Sequence, residues 1–274
     1  MTRKYCRGVT LLELLVVMMV LSLILTAAVK TWDVTLERSR FDSTRRKLDQ
    51  LATVTVGNPD YVVAGNRVDF GYVGDMGELP QILDDLVRLR PGIPDTGTWR
   101  GPYVRSTFSE APEGFRTDGW GDSIIYSPES LFVRSYGGRA LIEPTRWLTR
   151  MFGYTHQQLL SNEVTGRVLD VRGMPPPDAK WNQTFGHFKI WLRRPRMGLL
   201  QADSLAWNSP DRGSNGQFTF RDVAQGNQVE LFVRFIFVGP PVDSVEARKT
   251  VTVYPGRGAR DIQMRLNVDW SDYE

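Results

Sequence analysis

Glu13 is the one ionisable side chain in an otherwise apolar run, VTLLELLVVMMVLSLILTAAV, that covers residues 9–29. As a helix this run is long enough to cross a hydrocarbon core of about 30 Å. A carboxylate carried into that layer costs on the order of 2.5–3.5 kcal/mol, so Glu13 needs a partner or a task. Little else in the chain could react. His156 and His187 are the two histidines, and neither belongs to a zinc-binding spacing. The single thiol is Cys6, and neither a Gly-x-Ser-x-Gly elbow nor a phosphate-cradling glycine loop occurs. Asp84-Asp85 read as a solvated helix face. With no set of nucleophile, base and orienter, no catalytic residue, metal ligand or cofactor is expected and the chain does not read as an enzyme.

Three readings of the N-terminus follow from its residues. Arg3, Lys4 and Arg7 precede the apolar run, as in a secretory signal, and Thr26-Ala27-Ala28 offers a small-residue cut near Val29. The same charges suit a plain signal anchor with its leader held in the cytoplasm. Neither reading gives Glu13 a purpose. In the third, Arg7-Gly8-Val9-Thr10-Leu11-Leu12-Glu13 resembles the class III leader junction of type IV pilins and type II secretion pseudopilins. That resemblance implies cleavage between Gly8 and Val9 by a prepilin peptidase and N-methylation of Val9. It also implies that Glu13 pairs with the terminal amine of a neighbouring subunit during filament assembly. Val9 replaces the family's usual phenylalanine, and Ser22 and Lys30 stand where glycine and proline are common. The first proline is Pro59, so the helix lacks a proline kink.

Loss of a leader at 1–8 changes the apparent chemistry. The whole chain carries 34 Lys+Arg against 31 Asp+Glu, for a net charge of +3. Removing Arg3, Lys4 and Arg7 brings the count to 31 against 31, which withdraws the argument for a nucleic-acid partner. It also removes Cys6, leaving no disulfide or thiol nucleophile.

Beyond the apolar run, Leu36, Phe41, Thr44, Leu48 and Leu51 recur at helical spacing, predicting that the helix continues with a stripe packed on a globular domain. Arg45-Arg46-Lys47 read as a solvated face. Gly57-Asn58-Pro59-Asp60 stop the helix. A helix is predicted over 80–89 and strands over 123–126 and 131–135. The ordered series Leu79-Pro80, Trp99-Arg100-Gly101-Pro102-Tyr103, Trp120-Gly121, Tyr126-Ser127 and Ser135-Tyr136-Gly137 resembles the major pseudopilin of type II secretion over about residues 1–140. That family binds calcium in the following loop. Gly137-Gly138-Arg139-Ala140-Leu141-Ile142-Glu143 supplies too few hard oxygens, so no family-type calcium site is expected here.

The remaining sequence is strand-rich, with runs at 164–171, 185–192, 216–220, 228–238, 249–253 and 260–266 separated by glycine and proline turns, which predicts a β-sandwich. GRVLDVRGMPPP, SNGQFTFRDVAQG and KTVTVYPGRGARDIQMRL resemble the carboxypeptidase regulatory-like, transthyretin-like sandwich. Trp181, Trp191 and Trp207 read as core or loop packing, with a sugar or peptide groove as the alternative.

The expected architecture is therefore α+β: a long N-terminal helix on a small antiparallel sheet, then a C-terminal β-sandwich. Its segments are a leader 1–8, a helix 9–56 with residues 9–29 in the membrane, a globular domain 57–143, a connector 144–163 and the sandwich 164–274. The resemblances imply a pseudopilin of a type II secretion-type filament, single-pass in a bacterial inner membrane with periplasmic domains, partnered by prepilin peptidase and other pseudopilins or pilins. The alternative is a minor type IV pilin whose sandwich binds secreted cargo or a surface ligand.

Overall fold

The computed structural model describes residues 11–104, 114–138, 143–177, 186–206, 208–237 and 244–273. Gly8, Val9, Cys6, Arg139, Trp181 and Trp207 lie outside the described residues. The fold is α+β, with a long N-terminal helix, small antiparallel sheets and a C-terminal sandwich.

Helix α1 runs unbroken over Leu11–Val56, 46 residues or about 69 Å. Its sequence has neither proline nor glycine in this stretch. Hydroxyls within it bond back to the preceding turn, Ser22 to the Met19 carbonyl at 2.8 Å and Thr26 to that of Ser22 at 2.8 Å. Those bonds let polar side chains sit in an apolar segment without exposing unmade donors. Gly57 stops the helix as expected, with φ +82 and its N–H on the Thr53 carbonyl. A Cβ there would lie 2.5 Å from the Asp69 carbonyl oxygen and the Phe70 Cα.

The predicted stripe divides in two. Thr44, Leu48 and Leu51 are buried, joined by Ala52 and Val56. Leu36 and Phe41 remain 41% and 42% exposed, because in this upper part the body meets α1 only along the face of Glu37 and Arg40 and closes over the helix from about residue 44 onward. The body begins with a hairpin of β1 (Val62–Val63) and β2 (Asn66–Arg67), followed by α2 (Gly71–Met76). An antiparallel sheet in the order β3 (Ile125–Ser127), β4 (Phe132–Ser135) and β5 (Leu148–Met151) packs against α1.

The helix expected over 80–89 is a single 3-10 turn, Leu83–Leu86. Asp85, expected on a solvated face, is buried there and accepts the backbone N–H groups of Gln81 and Ile82. Residues 144–163, read as a connector, hold β5 and α3 (His156–Leu160). Phe152 and Leu159 from this stretch belong to the same core as Leu48, Tyr72 and Val133.

The C-terminal sandwich has a four-stranded and a three-stranded sheet. The first is antiparallel, in the order β11 (Ser244–Val253), β10 (Gly226–Phe237), β7 (Gly186–Arg196), β8 (Leu199–Leu205). The second has β6 (Asn162–Leu169) between β12 (Ala259–Arg265), which it pairs parallel, and β9 (Gln217–Val223), which it pairs antiparallel. Alternate residues point inward, so Val164, Val168, Phe218, Phe220 and Met264 meet Ile190, Leu192, Leu231, Val233 and Val253 in one apolar core. Strand β8 was not foreseen; LLQADSL is an edge strand whose side chains stay largely in water, so its periodicity is weak.

The two cores meet at a polar joint. Gln225, in the turn between β9 and β10, is 1% exposed and donates its side-chain amide to the carbonyls of Val56 at 2.9 Å and Phe70 at 3.2 Å. Asn227 donates to the Val68 carbonyl at 3.1 Å, and Gln228 reaches the Asp75 carboxylate. The turn between β7 and β8 docks on α2, with Gly198 N–H on the Met76 carbonyl at 3.0 Å.

Candidate functional site

The first candidate feature is the apolar half of α1. Its large side chains over residues 11–29 are 49–82% exposed, so nothing in the body covers them. An 18-residue window has a mean hydropathy of 2.6, enough in length and composition to span a membrane. Glu13 lies two residues into the described helix, among Leu11, Leu12, Leu14 and Leu15. Lys30 and the 72% exposed Trp32 follow the apolar run, the residue types that favour a membrane–water boundary.

The second feature sits just beyond that boundary, where the body reaches the helix. Glu37 accepts the Trp120 indole N–H at 3.0 Å on one oxygen and Arg146 at 2.5 Å on the other. The Trp120 hydrogen bond, with Arg146 beside it, holds the Glu37 carboxyl below the usual carboxylate range. A turn built around Asp118 presents this tryptophan. One Asp118 oxygen takes the backbone N–H groups of Trp120 and Asp122, both at 2.9 Å, and the other takes the Ser135 hydroxyl at 2.6 Å. Thr44 ties the same turn to α1 by accepting Gly119 N–H at 2.8 Å. Between helix and turn opens a cleft of about 540 Å³, lined by Asp33, Val34, Glu37, Arg38, Trp120 and Arg146.

Lys47 corrects the expectation of a uniformly solvated basic cluster. Arg45 and Arg46 are exposed, but Lys47 turns inward and donates to the carbonyls of Gly114, at 2.6 Å, and Thr117. Burial lowers its ammonium pKa, and the nearby Asp118 charge opposes that shift. Asp84 likewise pairs with Arg116 instead of facing water alone. The loop compared with the family's calcium loop lies largely outside the described residues, and Gly137 and Gly138 border the Glu37 cleft. Among the described residues no group of three or more His, Cys, Asp or Glu is arranged to hold a metal.

Trp191 lies on the outer face of the four-stranded sheet, stacked on Phe232 with ring centroids 5.0 Å apart and planes 2° apart. Arg234 lies over the Trp191 ring and Arg248 over Phe232, so arginines cover this aromatic pair. The outer face of the three-stranded sheet carries a second cleft, of about 580 Å³, lined by Thr165, Arg167, Gln217, Thr219, Asp261 and Gln263.

Of Gly8 and Val9, expected at the cleavage and methylation junction, and Glu13, expected in assembly, only Glu13 falls within the described residues, and it lies on the uncovered part of α1. The Glu37–Trp120–Arg146 cluster was not foreseen. Its one local signal is Asp118-Gly119-Trp120-Gly121-Asp122, in which the first aspartate builds an Asx-type turn.

Residues 3–29 match the family model described as the prokaryotic N-terminal methylation motif. The match covers the leader junction and the apolar run, and makes the chain type IV pilin-like and a prepilin-peptidase substrate at its N-terminus. No curated protein and no solved structure matches the chain.

Proposed function

We propose that the chain is a pseudopilin-type subunit of a type II secretion-type filament. In this reading α1 waits in the inner membrane, is cleaved after Gly8 and N-methylated at Val9, and then enters the filament core with the body in the periplasm. The observation that carries it is Glu13: one acid in an apolar helix that the chain itself leaves uncovered, directly behind a methylation junction. A charge paired across two subunits sets their axial register, because a mismatched neighbour leaves the carboxylate alone in an apolar layer. The order of the Trp-Arg-Gly-Pro-Tyr, Trp-Gly and Ser-Tyr-Gly segments favours a pseudopilin over other pilin-like subunits.

Intact-mass analysis of the processed protein tests the route, with an N-methylated Val9 start expected and a start near Val29 counting against it. Glu13→Ala tests the assembly role. Processing should survive while incorporation into filaments is lost, and normal incorporation would overturn the role assigned to Glu13.

A second reading, a minor pilin with a recognition module, is favoured by the polar cleft on the three-stranded sheet. No hydrogen bond or ion pair to another described residue is made by the side chains of Thr165, Arg167, Gln217, Thr219, Asp261 or Gln263. Deleting the sandwich does not separate the readings cleanly, since Gln225 and Asn227 satisfy carbonyls of the first core. Arg167→Ala with Gln263→Ala does: intact filaments with lost cargo or surface binding would favour recognition.

A further inference from the structure

We propose that the cleft between α1 and the Trp120 turn holds the headgroup of a zwitterionic phospholipid, phosphoethanolamine fitting it best. The inference rests on the reading of α1 as a membrane-resident helix and assigns a ligand to a cleft that assembly through Glu13 does not use.

The charges in the cleft are the first argument. Both Glu37 oxygens are engaged, by Trp120 and Arg146, so that pair is electrically closed. Asp33 and Arg38 remain, and neither makes a hydrogen bond or ion pair to another described residue. One unengaged anion and one unengaged cation in a single cleft complement a ligand that carries an ammonium and a phosphate together. Arginine presents a fork of donors to phosphate, and a carboxylate accepts from a primary ammonium. Phosphatidylglycerol has no ammonium for Asp33, and the trimethylammonium of phosphatidylcholine has no N–H to donate to it. A divalent cation of the calcium type wants six to eight hard oxygens, and with Glu37 committed the lining leaves the Asp33 carboxylate alone.

Depth is the second argument. Asp33 lies four residues beyond Val29 and Arg38 nine, about 6 and 13 Å along the helix axis. The polar layer of a bilayer extends about 5–7 Å beyond each side of its hydrocarbon core. Helical side chains lean toward the N-terminus, here toward the membrane, which carries the Arg38 guanidinium back to that layer. The exposed apolar surface of α1 below the cleft offers the acyl chains a track.

The full-length chain, purified in detergent and offered equimolar phosphatidylethanolamine, phosphatidylglycerol and phosphatidylcholine, is examined by native mass spectrometry. One phosphatidylethanolamine is expected to be retained in preference to the other two. Its retention should fall at least about tenfold in Arg38→Gln and in Asp33→Asn, the scale of a lost charge-assisted hydrogen bond. Both positions are on the solvent-accessible side of a helix, so circular dichroism should be unchanged. Equal retention of the three lipids, or unaltered retention in both variants, would overturn the proposal. Binding of free phosphoethanolamine as tight as that of the lipid would overturn the lipid as its source. Vesicle flotation separates the two levels: a chain that floats without lipid preference removes only the headgroup site, while a chain that does not float removes the membrane reading and the site with it.

Discussion

The side-chain amide of Gln225 donates at 2.9 Å to the carbonyl of Val56, the last residue of α1, across 169 positions of sequence. Helices end with carbonyls that lack intrahelical partners, and a buried one must find a donor elsewhere. Here the sandwich supplies it, while Arg67 supplies a second donor to the same oxygen at 2.7 Å. The end of α1 and the second core are therefore joined by side-chain hydrogen bonds that run from the sandwich to the first body.

Gln225→Ala should destabilise the full chain by about 1–3 kcal/mol, the sum of two net hydrogen bonds, because the Val56 and Phe70 carbonyls each lose one of two donors and keep Arg67 and the Gly74 N–H. Thermal unfolding in detergent checks this. An unchanged midpoint would mean that the joint contributes nothing to stability.

Gly57→Ala should cost at least about 1–3 kcal/mol, the scale of forcing a side chain into a left-handed backbone, with overlap on Asp69 and Phe70 added. The measurement is denaturant unfolding followed at the tryptophans. A wild-type midpoint would show that the chain beyond the helix can move aside.

Lys47→Met should loosen the turn at 114–117 by removing the donor shared by the Gly114 and Thr117 carbonyls, for a loss of about 1–3 kcal/mol. Hydrogen exchange should quicken at Phe115 and Arg116 while the sandwich strands keep wild-type protection. Uniform acceleration through both cores would contradict a local role.

Asp75 makes the joint pH-dependent. Burial raises its carboxyl pKa above the ordinary 3.8, against the lowering effects of Tyr103, Arg100 and Gln228, while Asp69 adds to the rise. An acid whose pKa is raised on folding adds stability that is complete below the unfolded value and is lost as pH rises through the folded value. Stability should thus fall as pH climbs from about 3.8 through the raised value, and Asp75→Asn should remove that component of the slope. A slope identical in wild type and variant would show that other groups set it.

What was legible in the sequence was local. An uninterrupted run without glycine or proline reads as a long helix, and Gly57 followed by Pro59 reads as its end. Alternation such as Phe218, Phe220 and Met264, Leu266 marks strands whose inner face is covered. Harder to read were the places where polar side chains leave the solvated face that their charge suggests. Lys47 turns inward because carbonyls about 70 positions away need a donor, and Asp85 because the backbone N–H groups of its own turn need an acceptor, and no hydrophobic periodicity carries either requirement.

The sequence by itself determined that α1 is long, apolar in its first half and burdened with Glu13, because helix propensity, hydropathy and breakers act between near neighbours. Only the tertiary structure decided that Leu36 and Phe41 stay open while Leu48 and Leu51 close. It alone brought Trp120 to Glu37 across 83 positions and Gln225 to Val56 across 169. The physical reason is that a buried polar group must be satisfied by whichever partner the packing brings within about 3 Å, and that choice is written in the topology of both cores together.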